Sequence, residues 1–268
     1  MKDITAILNV YRRTHTLASQ IEALRSQTHP PKAIWVMVTE HEDNKDYPFD
    51  SLDIDALIHV KKHDFKYHGR FALALLAQTE HIAILDDDSI PGSKWFENCQ
   101  TTMEDTPGIL GTYGVKFRSD IYDVPGYMWQ HESEGWNTKR DETVEVDFIG
   151  QSWFFQREDL NYLWREVPYC YTNAEDMQFS YLAKKYGNVN SYCPPHPESD
   201  KEMWGSLQAV ELGDDEVASS QAHSDKFAYF CQLRNEVLHN AIKNGWNTIY
   251  EVKPSEHAER ICGVSTPV

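Results

Sequence analysis

The sequence predicts an α/β domain with a mostly parallel central sheet flanked by helices, and three observations support this fold class. Short apolar runs alternate with segments whose apolar residues recur at helical spacing. The first two apolar runs are separated by one such segment, which implies a right-handed βαβ unit and a parallel sheet. The chain has 268 residues and is 41% hydrophobic, enough for a sizeable core.

Each element of the first half follows from its local pattern. Four apolar runs predict strands at residues 4–10, 33–38, 56–60 and 81–85. Leu17, Ile21 and Leu24 predict a helix after the first strand, and residues 71–77 predict another before the fourth. Ser93 is expected to cap a further amphipathic helix. Residues 42–55 are acidic and contain a proline, which favours a surface excursion.

Three consecutive carboxylates, Asp86, Asp87 and Asp88, directly follow the fourth predicted strand. Adjacent negative charges repel, so a fold tolerates them at a strand end chiefly where a cation or hydrogen-bond donors meet them. Oxygen ligands of this kind suit Mg²⁺ or Mn²⁺. The alternative is a solvated acidic turn, since Asp and Ser are ordinary turn formers.

The second half is less regular and rich in aromatic residues, which favours a role in binding an acceptor. Its strand near residues 146–155 contains Gly150, which permits a close backbone approach. The stretch from 108 to 152 and the loop around Trp204 are expected to shape the acceptor pocket. Filling of the core is the favoured explanation for any single aromatic side chain here, a set that comprises Tyr122, Tyr127, Trp129 and Trp136.

Two more carboxylates, Glu175 and Asp176, fall in the first turn of a helix that Asn173 is expected to cap and that ends at Gly187. The helix dipole stabilises carboxylates there, so capping is one explanation. A rigidly held carboxylate beside a pocket is also what a general base requires. Another amphipathic helix is predicted from about residue 226 to Gly245.

Net charge, cysteine content and hydrophobicity argue against several types of protein. A net charge of −17 argues against binding nucleic acid through the general surface, because phosphate neutralisation needs Lys and Arg. The five cysteines are scattered without a C-x-x-C pair, which favours free thiols. Neither an apolar signal core nor an 18-residue apolar window is present, so we expect no transmembrane segment and a cytoplasmic location.

Four motifs in a fixed order resemble those of the GT-A-fold glycosyltransferases, most closely the large family 2 group. They are Ile7-Leu8-Asn9-Val10-Tyr11-Arg12-Arg13, Ser26-Gln27-Thr28, Ile84-Leu85-Asp86-Asp87-Asp88 as the D-x-D, and Ala174-Glu175-Asp176 as the later E-D motif. The resemblance implies a single Rossmann-like GT-A domain. Residues 1–107 would then be the nucleotide-sugar donor half, 108–250 the acceptor half, and 251–268 a weakly structured C-terminal tail.

The resemblance also assigns roles at the donor site. A divalent metal, Mn²⁺ or Mg²⁺, would hold the donor diphosphate on Asp86 and Asp88, with Asp87 facing the ribose or sugar. Arg70 is a plausible diphosphate contact. Other residues expected to contact donor or acceptor are Asn9, Tyr11, Arg12, Glu40, Gly150 and Trp204. Family members usually have Asp where this chain has Glu40, which leaves the nucleotide's identity open.

At the acceptor side, Asp176 would deprotonate a hydroxyl that attacks the anomeric carbon with inversion, while Glu175 orients the acceptor or caps the helix. His223 is the best-placed third metal ligand and His196 its competitor. The expected substrates are therefore a nucleotide-sugar donor and a glycan or other hydroxyl acceptor.

Several alternatives remain open. His68-Gly69-Arg70-Phe71 is similar to exostosin-like transferases, which retain configuration. A haloacid dehalogenase-type phosphohydrolase would use Asp86 as nucleophile, although its D-x-D belongs on the first strand. A nucleotidyltransferase would need a Gly-rich phosphate loop that is missing here. A non-catalytic sugar-binding scaffold would use the aromatic residues alone.

Overall fold

The structure, a computed structural model, describes residues 1–122, 130–213 and 225–262, and its nine strands form one sheet. The strand order is β3-β2-β1-β4-β8-β5-β9-β7, with β6 paired to β5. The strands are β1 Ile4–Val10, β2 Ala33–Thr39, β3 Ala56–Val60, β4 His81–Leu85, β5 Ile109–Phe117, β6 His131–Gly135, β7 Val144–Val146, β8 Phe148–Gln156 and β9 Ser191–Cys193. The predicted α/β class, with a central sheet flanked by helices, is confirmed.

Helices cover both faces of this sheet. They are α1 Leu17–Arg25, α2 His68–Ala74, α3 Trp95–Asp105, α4 Leu160–Leu163, α5 Glu175–Gly187, α6 Ala209–Gly213, α7 Asp225–Lys243 and α8 Glu256–Cys262. Alternate residues of β1 supply both cores: Leu8 packs with the buried side chains of α1 and α3, whereas Ile7 packs with those of α2 and α5. A third apolar cluster joins α5 to α7 beyond β5 and β8.

Strands β1 to β4 are parallel to their neighbours, so their carboxyl ends lie at one edge of the sheet. Strand β8 pairs antiparallel with β4 and brings Ser152 opposite Leu85, the residue before the aspartates. The first and second halves of the chain therefore share one sheet. The edge where β1, β2 and β4 end is also where β8 begins.

Three local features differ from expectation. Helix α3 is preceded by Lys94 at the N-cap position without a side-chain cap bond, so Ser93 is not the cap. Ala174, with a left-handed φ of 62°, occupies the N-cap position of α5 instead of Asn173. The tail predicted to be weakly structured contains α8, because Ala258 is fully buried and Glu259 pairs with Lys243 of α7.

Candidate active site

The D-x-D loop is anchored from helix α1 and from strand β8. Gln20 is buried, and its Nε2 donates to the carbonyl oxygens of Asp86 at 2.7 Å and Ser89 at 2.9 Å. The amide of Asp86 donates to Gln151 O at 2.8 Å. Gln27, from the Ser26-Gln27-Thr28 motif, holds the far end of the loop through a 2.7 Å bond to Gly92 O. The backbone carrying the aspartates is therefore fixed on both sides.

Arg13 meets the last two aspartates of this loop. Its Nη1 lies 2.7 Å from Asp87 Oδ1 and 3.2 Å from Asp88 Oδ2, and the residue is only 5% exposed. A buried guanidinium between two carboxylates offsets their mutual repulsion. The aspartates thus have a protein cation beside them, as their repulsion requires.

Arg70 joins the D-x-D to the E-D motif. Its Nη1 donates to Asp86 Oδ1, and its Nη2 donates to Glu175 Oε1 at 2.9 Å. The guanidinium also lies over the ring of Trp153, 4.6 Å from the centroid. Helix α2 thereby bridges the donor half to the start of helix α5.

Asp176 is held by an arginine of the last long helix. Arg234 of α7 donates from Nη1 to Asp176 Oδ1 at 3.2 Å and from Nη2 to Oδ2 at 2.9 Å, the two-point geometry that fixes a carboxylate plane. The amide of Met177 donates to Asp176 Oδ1 at 2.7 Å. Arg234 itself packs on aromatic rings, with Tyr122 at 4.6 Å and Phe148 at 5.2 Å.

Burial of these acids raises several of their pKa values. Burial, with smaller contributions from Asp86 and Asp87, raises the pKa of Asp88 to about 7. Burial followed by the charge of Asp176 raises the pKa of Glu175 to about 7, although Arg70 opposes the shift. Burial also raises the pKa values of Asp86 and Asp87. Such concentrated negative charge is what a bound cation stabilises.

These carboxylates face a single cavity of about 350 Å³. Its acidic lining consists of Asp86, Asp88, Glu175 and Asp176, and its cations are Arg70 and Arg234. Gly150 forms part of the wall beside Asp176, since a Cβ added there would lie 3.9 Å from Asp176 Oδ2. Aromatic side chains complete the cavity: Tyr67, Tyr113, Tyr122, Trp136, Phe148, Trp153, Phe227 and Phe230. The arrangement places D-x-D carboxylates and the E-D carboxylates in one compartment.

The residues predicted to contact the nucleotide lie at the adjoining sheet edge. Asn9 is the second-last residue of β1 and lies opposite Met37 of β2, and Glu40 is exposed beyond β2. Tyr11 is 39% exposed, and Arg12 pairs with Asp43 through Nε at 2.6 Å. Two bonds hold this loop, since the buried Asn44 donates to Tyr11 O at 2.5 Å and Thr39 O at 2.8 Å.

Trp204 and His196 lie behind the loop and do not line the cavity. Trp204 is 8% exposed, and its indole donates to Pro197 O at 2.8 Å. The Trp204 carbonyl accepts from Gly92 N at 2.9 Å, which supports the backbone after the aspartates. His196 is fully buried and its ring lies 5.9 Å from that of Trp204. His223, the other predicted metal ligand, lies outside the described residues.

A divalent cation fits the D-x-D in one specific respect. Asp88 Oδ1 is buried and has no hydrogen-bond partner among the described residues, so one carboxylate oxygen is available to a ligand. Oxygen donors suit Mg²⁺ and Mn²⁺. Residues 1–122, 130–213 and 225–262 contain no cluster of three or more His, Cys, Asp or Glu arranged as a metal site. A metal here would be held by Asp86 and Asp88.

Comparison with known proteins decides the family. The family model described as glycosyl transferase family 2 matches residues 5–164, more than half of the chain. The chain belongs to glycosyl transferase family 2. The matched segment contains the β1 loop, the D-x-D and Arg70, and ends before the E-D motif. A family 2 member is a glycosyltransferase, so its substrates are a nucleotide-sugar donor and an acceptor.

The fold was also compared with solved structures. One is the crystal structure of S. aureus TarS 1-349, which is 14% identical, covers 97% of this chain and 69% of that chain, and has a TM-score of 0.49. None of the curated proteins matches the sequence. Within the described part of this glycosyltransferase, no helix is both long and apolar enough to cross a bilayer.

Two arginines of the site were not predicted from the sequence. Arg13 is adjacent to the predicted Arg12, and only the geometry shows that the second arginine turns inward to the aspartates. Arg234 lies in the middle of α7, the predicted amphipathic helix, and the apolar residues Leu233 and Val237 are close to it in sequence. A charged residue close to such a face was the available signal, since buried charges are normally paired.

Proposed function

We propose that this chain transfers a sugar from a nucleoside diphosphate donor to an acceptor hydroxyl, with a divalent metal at the D-x-D and inversion at the anomeric carbon. The observation that supports this most is the common cavity of Asp86, Asp88 and Asp176. A single displacement needs a diphosphate site on one side of the sugar and a base on the other. Asp86 and Asp88 come from the first half of the chain and would form the diphosphate site. Asp176 comes from the second half and would be the base.

Asp86 and Asp88 would hold Mn²⁺ or Mg²⁺, with the unpartnered Asp88 Oδ1 as the open position. When bound, the metal supplies Lewis-acid stabilisation of the charge that grows on the leaving diphosphate. Arg13 stays beside Asp87 and Asp88 and limits their repulsion before the donor arrives. Arg70 adds a second cation at the same edge of the sheet. Its guanidinium would bond to a diphosphate oxygen in place of Asp86.

Asp176 would accept the proton of the acceptor hydroxyl at a carboxylate oxygen. General base catalysis requires a carboxylate held at a fixed orientation toward the hydroxyl. The two-point contact from Arg234 and the Met177 amide supply that fixed orientation. Glu175 is instead tied to Arg70, which favours a positioning role for it over proton transfer.

A retaining reaction is the second candidate, on the basis of Gly69 and Arg70. In the structure the Arg70 guanidinium is engaged by both Asp86 and Glu175, a link that serves either stereochemistry. The anomeric configuration of the glycosidic bond formed, read by proton NMR and compared with that of the donor, separates the two. Inversion supports Asp176 as base, and retention would contradict it.

A thermal-shift screen tests the donor class. UDP, GDP, CDP, dTDP and ADP are each added with Mn²⁺ or with EDTA, because a ligand that binds only the folded state raises its stability. The expected result is a rise with one nucleotide that depends on Mn²⁺ and is lost in Asp88→Asn. Asp105→Asn, at the end of α3 outside the cavity, is the matched control and should retain the rise. No rise with any nucleotide would contradict the proposed function.

A further inference from the structure

Trp136 combines three unusual properties at the cavity wall. Its backbone is left-handed with φ 54°, a conformation rare for a bulky residue and typical of functional sites when the surroundings hold it. Its side chain lines the cavity. Its indole Nε1 is buried and has no hydrogen-bond partner among the described residues. An indole N–H so placed is a donor directed at a ligand position.

Gln151 of β8 shows the same combination of properties. Its φ is 66°, it lines the same cavity, and its Oε1 is buried without a partner in the described chain. The register between β5 and β8 shifts here, since Gly111 pairs with Trp153 and Tyr113 with Gly150. Two β8 residues thus oppose one β5 residue, a bulge of the kind that redirects a side chain next to an active site.

Both residues are fixed to this irregular part of the sheet. The Trp136 amide donates to the carbonyl of Thr112, the β5 residue opposite the bulge, at 2.7 Å. The Gln151 carbonyl accepts from the amide of Asp86 at 2.8 Å and from Ser89 Oγ at 3.1 Å. The residues that carry the unpartnered Trp136 Nε1–H and Gln151 Oε1 are therefore held by the same part of the backbone that positions the D-x-D.

Trp136 and Gln151 lie between the D-x-D carboxylates and Asp176. A Cβ built on Gly213 would be 3.6 Å from Asp88 Oδ2 and 3.7 Å from Trp136 Cζ2, so the indole is close to the metal-binding carboxylate. Gln151 follows Gly150, whose added Cβ would be 3.9 Å from Asp176 Oδ2. A sugar that bridges the diphosphate site and the base would occupy this space.

The charges around the cavity limit which sugar fits. Its four acidic residues outnumber its two arginines, and both arginines are paired with those acids. Residues 123–129, 214–224 and 263–268 contain no Lys or Arg in their sequence. The two arginines are already engaged by these acids and a bound metal would be engaged by the diphosphate, so a sugar carboxylate would meet no cation of its own.

We infer that Trp136 and Gln151 recognise the transferred sugar and that this sugar is neutral and hydroxyl-bearing. The Trp136 indole N–H donates to one sugar hydroxyl group, and the Gln151 carboxamide oxygen accepts from another. This inference rests on the proposed function, because it assumes that the sugar lies between the D-x-D and Asp176.

Isothermal titration with Mn²⁺ compares a nucleoside diphosphate with its sugar conjugates. UDP is compared with UDP-glucose and UDP-glucuronic acid, and GDP with GDP-mannose and GDP-mannuronic acid. Trp136→Phe keeps the ring and removes the N–H, whereas Gln151→Asn tolerates the left-handed backbone and withdraws the carboxamide. Each variant should weaken neutral-sugar conjugate binding about 5- to 10-fold with nucleoside diphosphate binding unchanged, as expected for one lost hydrogen bond.

Trp164→Phe is the matched control, because Trp164 Nε1 also has no partner in the described chain but the residue does not line the cavity. It should leave every affinity unchanged. The neutral conjugate should bind at least about 10-fold more tightly than the uronic acid conjugate, and Gln151→Lys should reduce that preference.

Equal effects of Trp136→Phe and Trp164→Phe, or equal binding of the neutral and uronic acid conjugates, would overturn the inference while the proposed function stood. Absence of any nucleoside diphosphate binding would overturn the proposed function and this inference with it.

Discussion

The first and second halves of this glycosyltransferase position their carboxylates in different ways. Asp86, Asp87 and Asp88 follow a buried strand, and parallel neighbours on the same edge fix their location. Glu175 and Asp176 depend instead on arginines far away in sequence, 105 residues for Arg70 with Glu175 and 58 for Arg234 with Asp176. The place of the three aspartates can thus be read from the end of one strand, although Gln20, Arg13 and Gln151 hold them there. The orientation of Glu175 and Asp176 depends on the arginines alone to a greater degree, and no local pattern announces it.

Asp176→Asn should have the largest effect on the acceptor side. It keeps the shape of the side chain but removes the proton acceptor, so the transfer rate should fall about 10²- to 10⁴-fold. Steady-state transfer assays with saturating donor measure this. Asp159→Asn, outside the cavity, is the control and should transfer sugar at the wild-type rate. A fall of less than tenfold in Asp176→Asn would show that Asp176 is not the base.

Arg234→Met should have a large effect on stability as well as on transfer. It leaves Asp176 buried without its partner, which costs about 3–5 kcal/mol of unfolding free energy. Urea denaturation of Arg234→Met, Asp176→Asn and the double variant measures the coupling, and the double variant should be less destabilised than the sum of the two. Additive effects would show that the pair does not stabilise the acceptor half.

Arg234→Lys separates the charge of Arg234 from its two-point contact with Asp176. It keeps the positive charge but cannot make the two-point contact, so transfer should fall while most of the stability remains. Transfer at the wild-type rate in this variant would show that the orientation of Asp176 does not depend on the guanidinium.

A smaller effect is expected from His196 behind the donor loop. Burial lowers the pKa of His196 to about 4, so the unfolded chain takes up a proton at this position before the folded chain does. Its contribution to stability is complete above about pH 6.5 and is lost as pH falls toward 4, by about 3 kcal/mol. Urea unfolding between pH 7 and 4 should show a shallower decline in His196→Asn, and equal declines would contradict a buried neutral histidine.

Most elements of the first half of the chain were predictable from the sequence, although α2 begins three residues before the predicted helix over 71–77. The runs at 4–10, 56–60 and 81–85 match β1, β3 and β4 to the residue, because short apolar strands between polar turns leave little ambiguity. These predictions needed only neighbours along the chain. The D-x-D position follows from the end of β4, which explains why it too was predictable.

The acceptor half was predictable in its elements but not in its contacts. Helix α5 begins at Glu175 as its first-turn carboxylates suggested, yet nothing in the local pattern pairs Asp176 with Arg234 across 58 residues. The left-handed φ of Gln151 occurs at the register shift between β5 and β8, and that of Trp136 where its amide bonds to Thr112; neither residue type indicates it. Such features depend on tertiary context that a single sequence does not display.

The most direct test is to titrate the stabilising nucleoside diphosphate into wild type, Asp88→Asn and Asp176→Asn, with and without Mn²⁺. It shows whether Asp88 serves diphosphate binding and Asp176 does not. We expect Mn²⁺-dependent binding in wild type, its loss in Asp88→Asn, and unchanged affinity in Asp176→Asn. Unchanged binding in Asp88→Asn, or loss of binding in Asp176→Asn, would contradict a metal-bound diphosphate in one half and a base in the other.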